Sequence, residues 1–273
     1  MDVWTYVLYF LKIVVYTIGT FCVCGLVVAL CEWLFRKLIG GGAGYKAVIF
    51  TAIIGTPIHE IGHALMCLIF GHRITEICLW DPHCTDGNLG FVNHAYNPKN
   101  IYHRIGNLFI GLGPIFSGLG ILTLIMFLVF PNTTSQYFSS AAEHIRMGEG
   151  IFSILLEGLK MIPAMITEGT RHIAIKIIAI IVMLSVSLHI SLSPADIKGS
   201  ADALPFYFGG VLIFTVITSL IGYTAMSAIT SALSTFNAYL VMLFTVVFVF
   251  ALALVLIALV VFILRKVLGT IFG

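Results

Sequence analysis

Apolar residues fall in six stretches, each long enough for the helix of about 20 residues that crosses a bilayer. The first lies within Tyr6–Phe35 and stops at Arg36 and Lys37. The glycine-rich Gly40–Gly44 leads into the second, Ala47–Phe70, and a polar interlude follows to Asn100. The others are Ile105–Phe130, Ile173–Ser193, Phe206–Leu233 and Phe236–Leu264, the last closed by Arg265 and Lys266. Between the third and fourth, Glu149, Ser153, Glu157, Lys160, Thr167 and Arg171 recur at helical spacing among Phe152, Leu155, Leu159, Ile162 and Ile166. That pattern predicts an amphipathic helix at the membrane surface, bent at Pro163, or else a connector packed on the bundle.

Composition narrows the class. Of 273 residues, 60% are hydrophobic and 10% charged, with a mean hydropathy of +1.09. Soluble domains carry about 25% charged residues, so a soluble enzyme and a disordered chain are both excluded. The net charge of +2 gathers into no basic patch, and no nucleotide-binding motif stands in the sequence, so neither nucleic acid nor nucleotide is expected as a partner. The reading is a single integral membrane domain over residues 1–273, all-α and polytopic, in contact with the lipid bilayer. Asp2 and Lys12 flank the first run without a small-residue cleavage site, which reads as a retained helix rather than a signal peptide. The expected location is multi-pass in the cell membrane. Orientation stays open. Arg36, Lys37 and Lys46 make the first loop cytoplasmic, but Arg265 and Lys266 then fall on the opposite face.

With charges so scarce, those inside an apolar run require an explanation. The second run contains His59-Glu60-Ile61-Gly62-His63. Residues i and i+4 share a helix face, so both imidazoles reach one cation, and neutral imidazole is a good ligand for Zn²⁺. Glu60 projects beside them and is free to act as general base on a water that the metal activates. Three polar groups at that depth would each cost roughly 2–3 kcal/mol if they faced lipid, a cost that metal coordination in a hydrated cavity removes. A hydrogen-bonded polar cluster acting as a proton relay is the plainer reading.

A hydrolytic zinc site needs a third protein ligand and one open position. Asp196 is the first candidate. It follows Pro194, which interrupts the helix at the end of the fourth run, and broken helices at depth are tolerated where they face protein or a water-filled cavity. His189 is the rival ligand, or else a hydrogen-bond partner of Ser191 and Ser193. On the third run, Gly106, Gly111, Gly113, Gly118 and Gly120 suit close approach to the zinc-bearing helix. Asn107 can face the site as a substrate or oxyanion donor, or make an ordinary interhelical hydrogen bond. His72, His83, His94, His103, His144 and His172 read as interfacial polar residues, as do Lys12, Glu32 and Lys176 near the ends of their runs. Cys78 and Cys84 can pair only in an oxidising compartment.

These features resemble the site-2 protease family of intramembrane zinc metalloproteases. His59–His63 matches its membrane-embedded motif. Phe70-Gly71-His72 and the alternating Ile74–Leu79 follow as the family's membrane-associated β-hairpin does, with Gly87–Val92 as second strand. Gly111–Gly118 resembles its Gly-Pro helix, and Ser193-Pro194-Ala195-Asp196 stands where the family has its third-ligand motif. The family's Asn-x-x-Pro…Asp-Gly is replaced here by Ser-Pro-Ala-Asp-Ile-Lys-Gly. The resemblance covers about residues 45–199, a protease-like core, and leaves the N-terminal span (6–35) and the C-terminal spans (206–264) without a motif. It implies about six transmembrane helices with a small hairpin after the zinc-motif helix. It further implies hydrolysis of a peptide bond within or beside the bilayer of a membrane-embedded or membrane-associated peptide or protein. Glu60 would be the base and His59, His63 and Asp196 the ligands. The hairpin, with Ile74 and Glu76 as contacts, would hold unwound substrate as an added strand, unless it is purely structural. Two other classes fit the same residues: a transporter or channel using them as a proton or metal-ion path, and a catalytically silent, metal-stabilised binding protein.

Overall fold

The computed structural model of the chain describes residues 3–83, 89–169 and 172–272. Cys84, Arg171 and the Gly87–Asn88 part of the expected second strand lie outside the described residues. Among those described, helices dominate. Helix α1 (Val3–Val14) runs through a π-helical turn at Val15–Gly19 into α2 (Thr20–Ile39), and α3 (Gly41–Ile69) carries the histidine motif. Strands β1 (Arg73–Cys78) and β2 (Phe91–Ala95) form one antiparallel hairpin, followed by α4 (Ile101–Val129). Helices α5 (Pro131–Arg146), α6 (Ile151–Thr167), α7 (Ile173–His189) and α8 (Pro194–Ala201) come next, then α9 (Leu204–Ile221) and α10 (Tyr223–Phe272).

Five helical segments are long and apolar enough to cross a membrane, and α7 with α8, bent by 55° at their break, makes a sixth if taken as one span. Large apolar side chains such as Phe50, Leu68, Ile213 and Leu220 point outward from these helices. Exposed apolar patches on water-soluble proteins rarely exceed a few hundred Å², so these outward-facing side chains are consistent with helices that lie in a membrane.

The fold departs from the sequence expectation in three places. The fifth run does not extend to Leu233: α9 ends at Ile221 and α10 starts at Tyr223. Between them Gly222 has φ +120°, a conformation that only glycine adopts without strain. Hydropathy is continuous across it, so only the backbone marks the break. The second strand is displaced to Phe91–Ala95, with an irregularity in register between Ile74 and Glu76. The amphipathic helix is present as α6, uninterrupted through Pro163, but an unforeseen α5 precedes it. Pro131 at the first turn starts α5, where its missing N–H costs nothing, and the buried Glu168 carboxylate accepts from the N–H groups of Asn132 and Thr133.

The core gathers around α4. Ile115, Leu122 and Met126 are fully buried against Met183 and Val186 of α7, Met161 of α6 and Val247 of α10. Against α3 the contact is backbone on backbone: a Cβ placed on Gly113 would lie 2.6 Å from the Gly62 carbonyl oxygen. Ser117 reinforces the pair by donating to the Ile58 carbonyl at 2.8 Å. Small residues at a helix crossing allow this approach, and it sets the distance from α4 to the histidine motif.

Candidate metal centre

On α3, Thr56, His59, Glu60 and His63 share the face turned toward α7, α8 and the hairpin. His59 Nε2 and His63 Nε2 stand 3.2 Å apart. Asp196 Oδ1 is 3.2 Å from His63 Nε2, and Asp196 Oδ2 is 4.0 Å from His59 Nε2. His59, His63 and Asp196 therefore form a group that can hold a metal ion, their ligating atoms all within 4.8 Å of one another.

The hydrogen bonds on the far side of each ring test whether these residues suit a cation. His59 Nδ1 donates to the His189 carbonyl at 2.8 Å, and His63 Nδ1 donates to the Ile110 carbonyl at 2.7 Å. A carbonyl can only accept, so in the neutral ring the proton sits on Nδ1 and Nε2 keeps a bare lone pair. In that neutral form two lone pairs and a carboxylate face one another. A cation turns that repulsion into coordination, and carbonyl partners on the outer nitrogens are the usual support of metal-bound histidines. The fit is good.

Asp196 is brought in by the break between α7 and α8. Residues 190–193 are not helical. In an unbroken helix the Ser193 N–H would bond to the His189 carbonyl. Here it donates to Asp196 Oδ2 at 2.7 Å, while the Asp196 N–H donates to Ser193 Oγ at 3.1 Å. This capping box fixes the Asp196 carboxylate and leaves the His189 carbonyl for His59. One local unwinding thus produces both the third candidate ligand and the carbonyl that orients His59. Helix α8 lies close on α4 because residue 111 is glycine: a Cβ there would be 2.7 Å from the Asp196 carbonyl oxygen.

The rival ligand His189 does not join the group. Its ring is buried, with Nδ1 on the Ser185 carbonyl at 2.9 Å, so it contributes its backbone carbonyl and not its imidazole. Glu60 is buried in the protein yet lines a cavity of about 720 Å³, and among the described residues its carboxylate has no hydrogen-bond partner. The cavity runs from His59 and Glu60 between α2, the Leu89–Gly90 segment and the α7–α8 break.

Three residues expected as substrate contacts do not line that cavity. Ile74 pairs with His94 in the hairpin, and exposed Glu76 accepts from Asn93 Nδ2 at 3.2 Å; neither lines the cavity. Asn107 is buried on α4, away from the cavity lining. The hairpin's contribution comes instead from Gly90, where a Cβ would be 2.8 Å from Glu60 Cγ. Sequence reasoning also passed over Glu32, Trp33 and Arg36 of α2, which form the opposite wall. Glu32 and Arg36 at i, i+4 in an apolar helix were the available signal.

Elsewhere the structure collects His72, His94 and His103 at the foot of the hairpin. His72 Nε2 donates to the His103 carbonyl at 2.8 Å, and its Nδ1 meets His94 Nδ1 at 3.0 Å. Burial holds the His72 imidazole below its ordinary pKa. Comparison of the chain with protein-family models, curated proteins and solved structures finds no match.

Proposed function

We propose that the chain is an intramembrane zinc endopeptidase of the site-2 protease kind, with His59, His63 and Asp196 as metal ligands and Glu60 as general acid–base. The observation that carries this reading is the convergence of the His59 and His63 Nε2 atoms on the Asp196 carboxylate, with Glu60, which has no hydrogen-bond partner among the described residues, beside them at the head of a cavity. Tetrahedral zinc with ligands at 2.0–2.1 Å holds its ligand atoms about 3.3 Å apart. Two of the three separations match it, His63 Nε2 standing 3.2 Å from both His59 Nε2 and Asp196 Oδ1, while His59 Nε2 to Asp196 Oδ2 is wider at 4.0 Å. Three protein ligands leave a position open, as hydrolytic zinc sites require.

A zinc ion held there supplies Lewis acidity, which polarises a carbonyl and makes a water easier to deprotonate. The remaining work falls to the chain. Glu60 accepts a proton from the water that adds to the scissile carbonyl carbon, then returns it to the leaving amine nitrogen as the C–N bond breaks. The two carbonyls behind His59 and His63 hold the imidazoles so that both Nε2 atoms stay directed inward. Gly90 lets the hairpin's return segment lie against Glu60, screening it on that side and leaving the α2 side open. The substrate class is a peptide or protein in or on the bilayer, unwound locally so that a carbonyl reaches the site.

The test compares wild type and Glu60→Gln in membranes. Both should bind zinc stoichiometrically by elemental analysis, and peptide products found with the wild type should fall by a factor of about 10²–10⁴ in the variant. Metal-dependent ion flux that survives Glu60→Gln, without peptide cleavage by either form, would show a transporter and sink the protease reading.

A further inference from the structure

Helix α2 carries a buried acid that the proposed chemistry does not use. The Glu32 side chain is 17% exposed, and Oε1 accepts from Arg36 Nε at 2.9 Å and Nη2 at 2.6 Å. Oε2 accepts the Ser191 hydroxyl. Both oxygens of Glu32 are therefore assigned, one to its own helix and one to the unwound stretch 190–193.

That stretch is where the centre is most exposed to error. It follows directly on the His189 carbonyl that His59 uses and leads into Asp196, and its backbone lies outside both helices, tied into α8 at Ser193 through the Ile197 N–H and the capping bonds with Asp196. Its apolar members are pinned by close packing: Ile190 on Gly118 of α4, and Leu192 on Gly25 of α2, with 3.1 Å from Leu192 to a Cβ placed there. Apolar contact fixes position but sets orientation poorly, because it has no preferred direction. The Ser191 hydroxyl has a direction, and a carboxylate acceptor makes that bond about twice as strong as a neutral one. Arg36, one turn further on, places its guanidinium on the other oxygen of the same carboxylate.

We infer that Glu32, held by Arg36 and bonded to Ser191, is a positioning residue for the metal centre, fixing the unwound segment that presents the His189 carbonyl and Asp196. Glu32 touches neither metal nor substrate in this role. The inference rests on the metal reading of His59, His63 and Asp196.

The test measures zinc affinity of the full chain in detergent by competition with a chromophoric chelator, and the visible absorption of the cobalt-loaded protein. Partners behind a ligand are commonly worth 10–100-fold in metal affinity. Glu32→Ala and Ser191→Ala should each weaken zinc by about tenfold, at the lower end because they act one step further out, and should alter the cobalt band. The double variant should be no weaker than the worse single one, since both remove the same bond. Glu32→Gln, whose amide oxygen can still accept the hydroxyl, should recover most of the affinity. If Glu32→Ala fails to fold, Ser191→Ala and Glu32→Gln carry the test. A folded Glu32→Ala or Ser191→Ala with wild-type affinity and an unchanged cobalt spectrum would overturn the inference, as would additive losses in the double variant. Wild type that binds no zinc overturns the metal reading itself, a separate result.

Discussion

The Thr56–His63 stretch of α3 and the His189–Asp196 stretch between α7 and α8 bring side chains that could hold one metal ion to the same place by different means. In α3 the helix does the work: four residues bring the chain round by one turn, so His59 and His63 are adjacent wherever that helix forms. In the other stretch the helix has to stop. Only once the Ser193 N–H is given to Asp196 does the His189 carbonyl become free and the carboxylate turn inward. A regular element carries its geometry in its spacing, whereas an interrupted one depends on the neighbours that hold the interruption open. Here those neighbours are α2 through Glu32 and α4 through Gly111 and Gly118.

Ligand deletions should expose that contrast most strongly. His63→Ala should abolish stoichiometric zinc, a loss larger than the roughly 100-fold ceiling for partners behind the ligands. Asp196→Ala should lower zinc occupancy more than His189→Ala, because His189 contributes a backbone carbonyl that alanine retains. Elemental analysis of the three purified variants ranks them, and occupancy lost in His189→Ala but kept in Asp196→Ala would move the centre onto His189.

A smaller effect is expected at the contact that sets the distance between α3 and α4. Gly113→Ala puts a methyl against the Gly62 carbonyl and should destabilise the chain by about 1–3 kcal/mol, as overpacking of rigid neighbours does. Gly120→Ala meets nothing within 4 Å and should be close to neutral. Equal stabilities for the two variants in a denaturation series would mean that α3 and α4 are not locked through backbone contact.

The smallest effect concerns the hairpin, outside both ligand-bearing segments. Burial lowers the His72 pKa from 6.5, so the folded state takes up a proton less readily than the unfolded one. Its contribution to stability is complete above that value and declines as pH falls through it. Amide exchange in Arg73–Cys78 and Phe91–Ala95, corrected for intrinsic rate, should therefore quicken modestly between about pH 7.5 and about pH 5.5. Exchange that slows on acidification would reverse the assignment of His72 as a neutral partner of the His103 carbonyl.

Much of the architecture could be read from hydropathy because a membrane helix must be long and apolar to satisfy its own backbone. Periodicity also found α6, and the alternation at Ile74–Leu79 found β1 within a residue. What hydropathy missed lay where composition does not change. Gly222 splits one apolar run, and α5 is too polar to read as a span. The second strand lies at Phe91–Ala95, later than the expected Gly87–Val92, where the sequence carries no strict alternation to mark its ends.

At the centre, His59, Glu60 and His63 were fixed by sequence, since their geometry follows from i, i+4 spacing on any helix. Pro194 already pointed to a break, and so to Asp196. The choice of Asp196 over His189 belonged to the tertiary structure, because it turns on which group accepts the Ser193 N–H and which way each imidazole faces. The pairing of Glu32 with Ser191 belonged to it wholly. Along the chain Glu32 stands 159 residues from Ser191, and an acid near a helix end looks the same whether it reaches for water or for a hydroxyl. Local spacing is a property of the chain; a partner that distant exists only after the helices have come together.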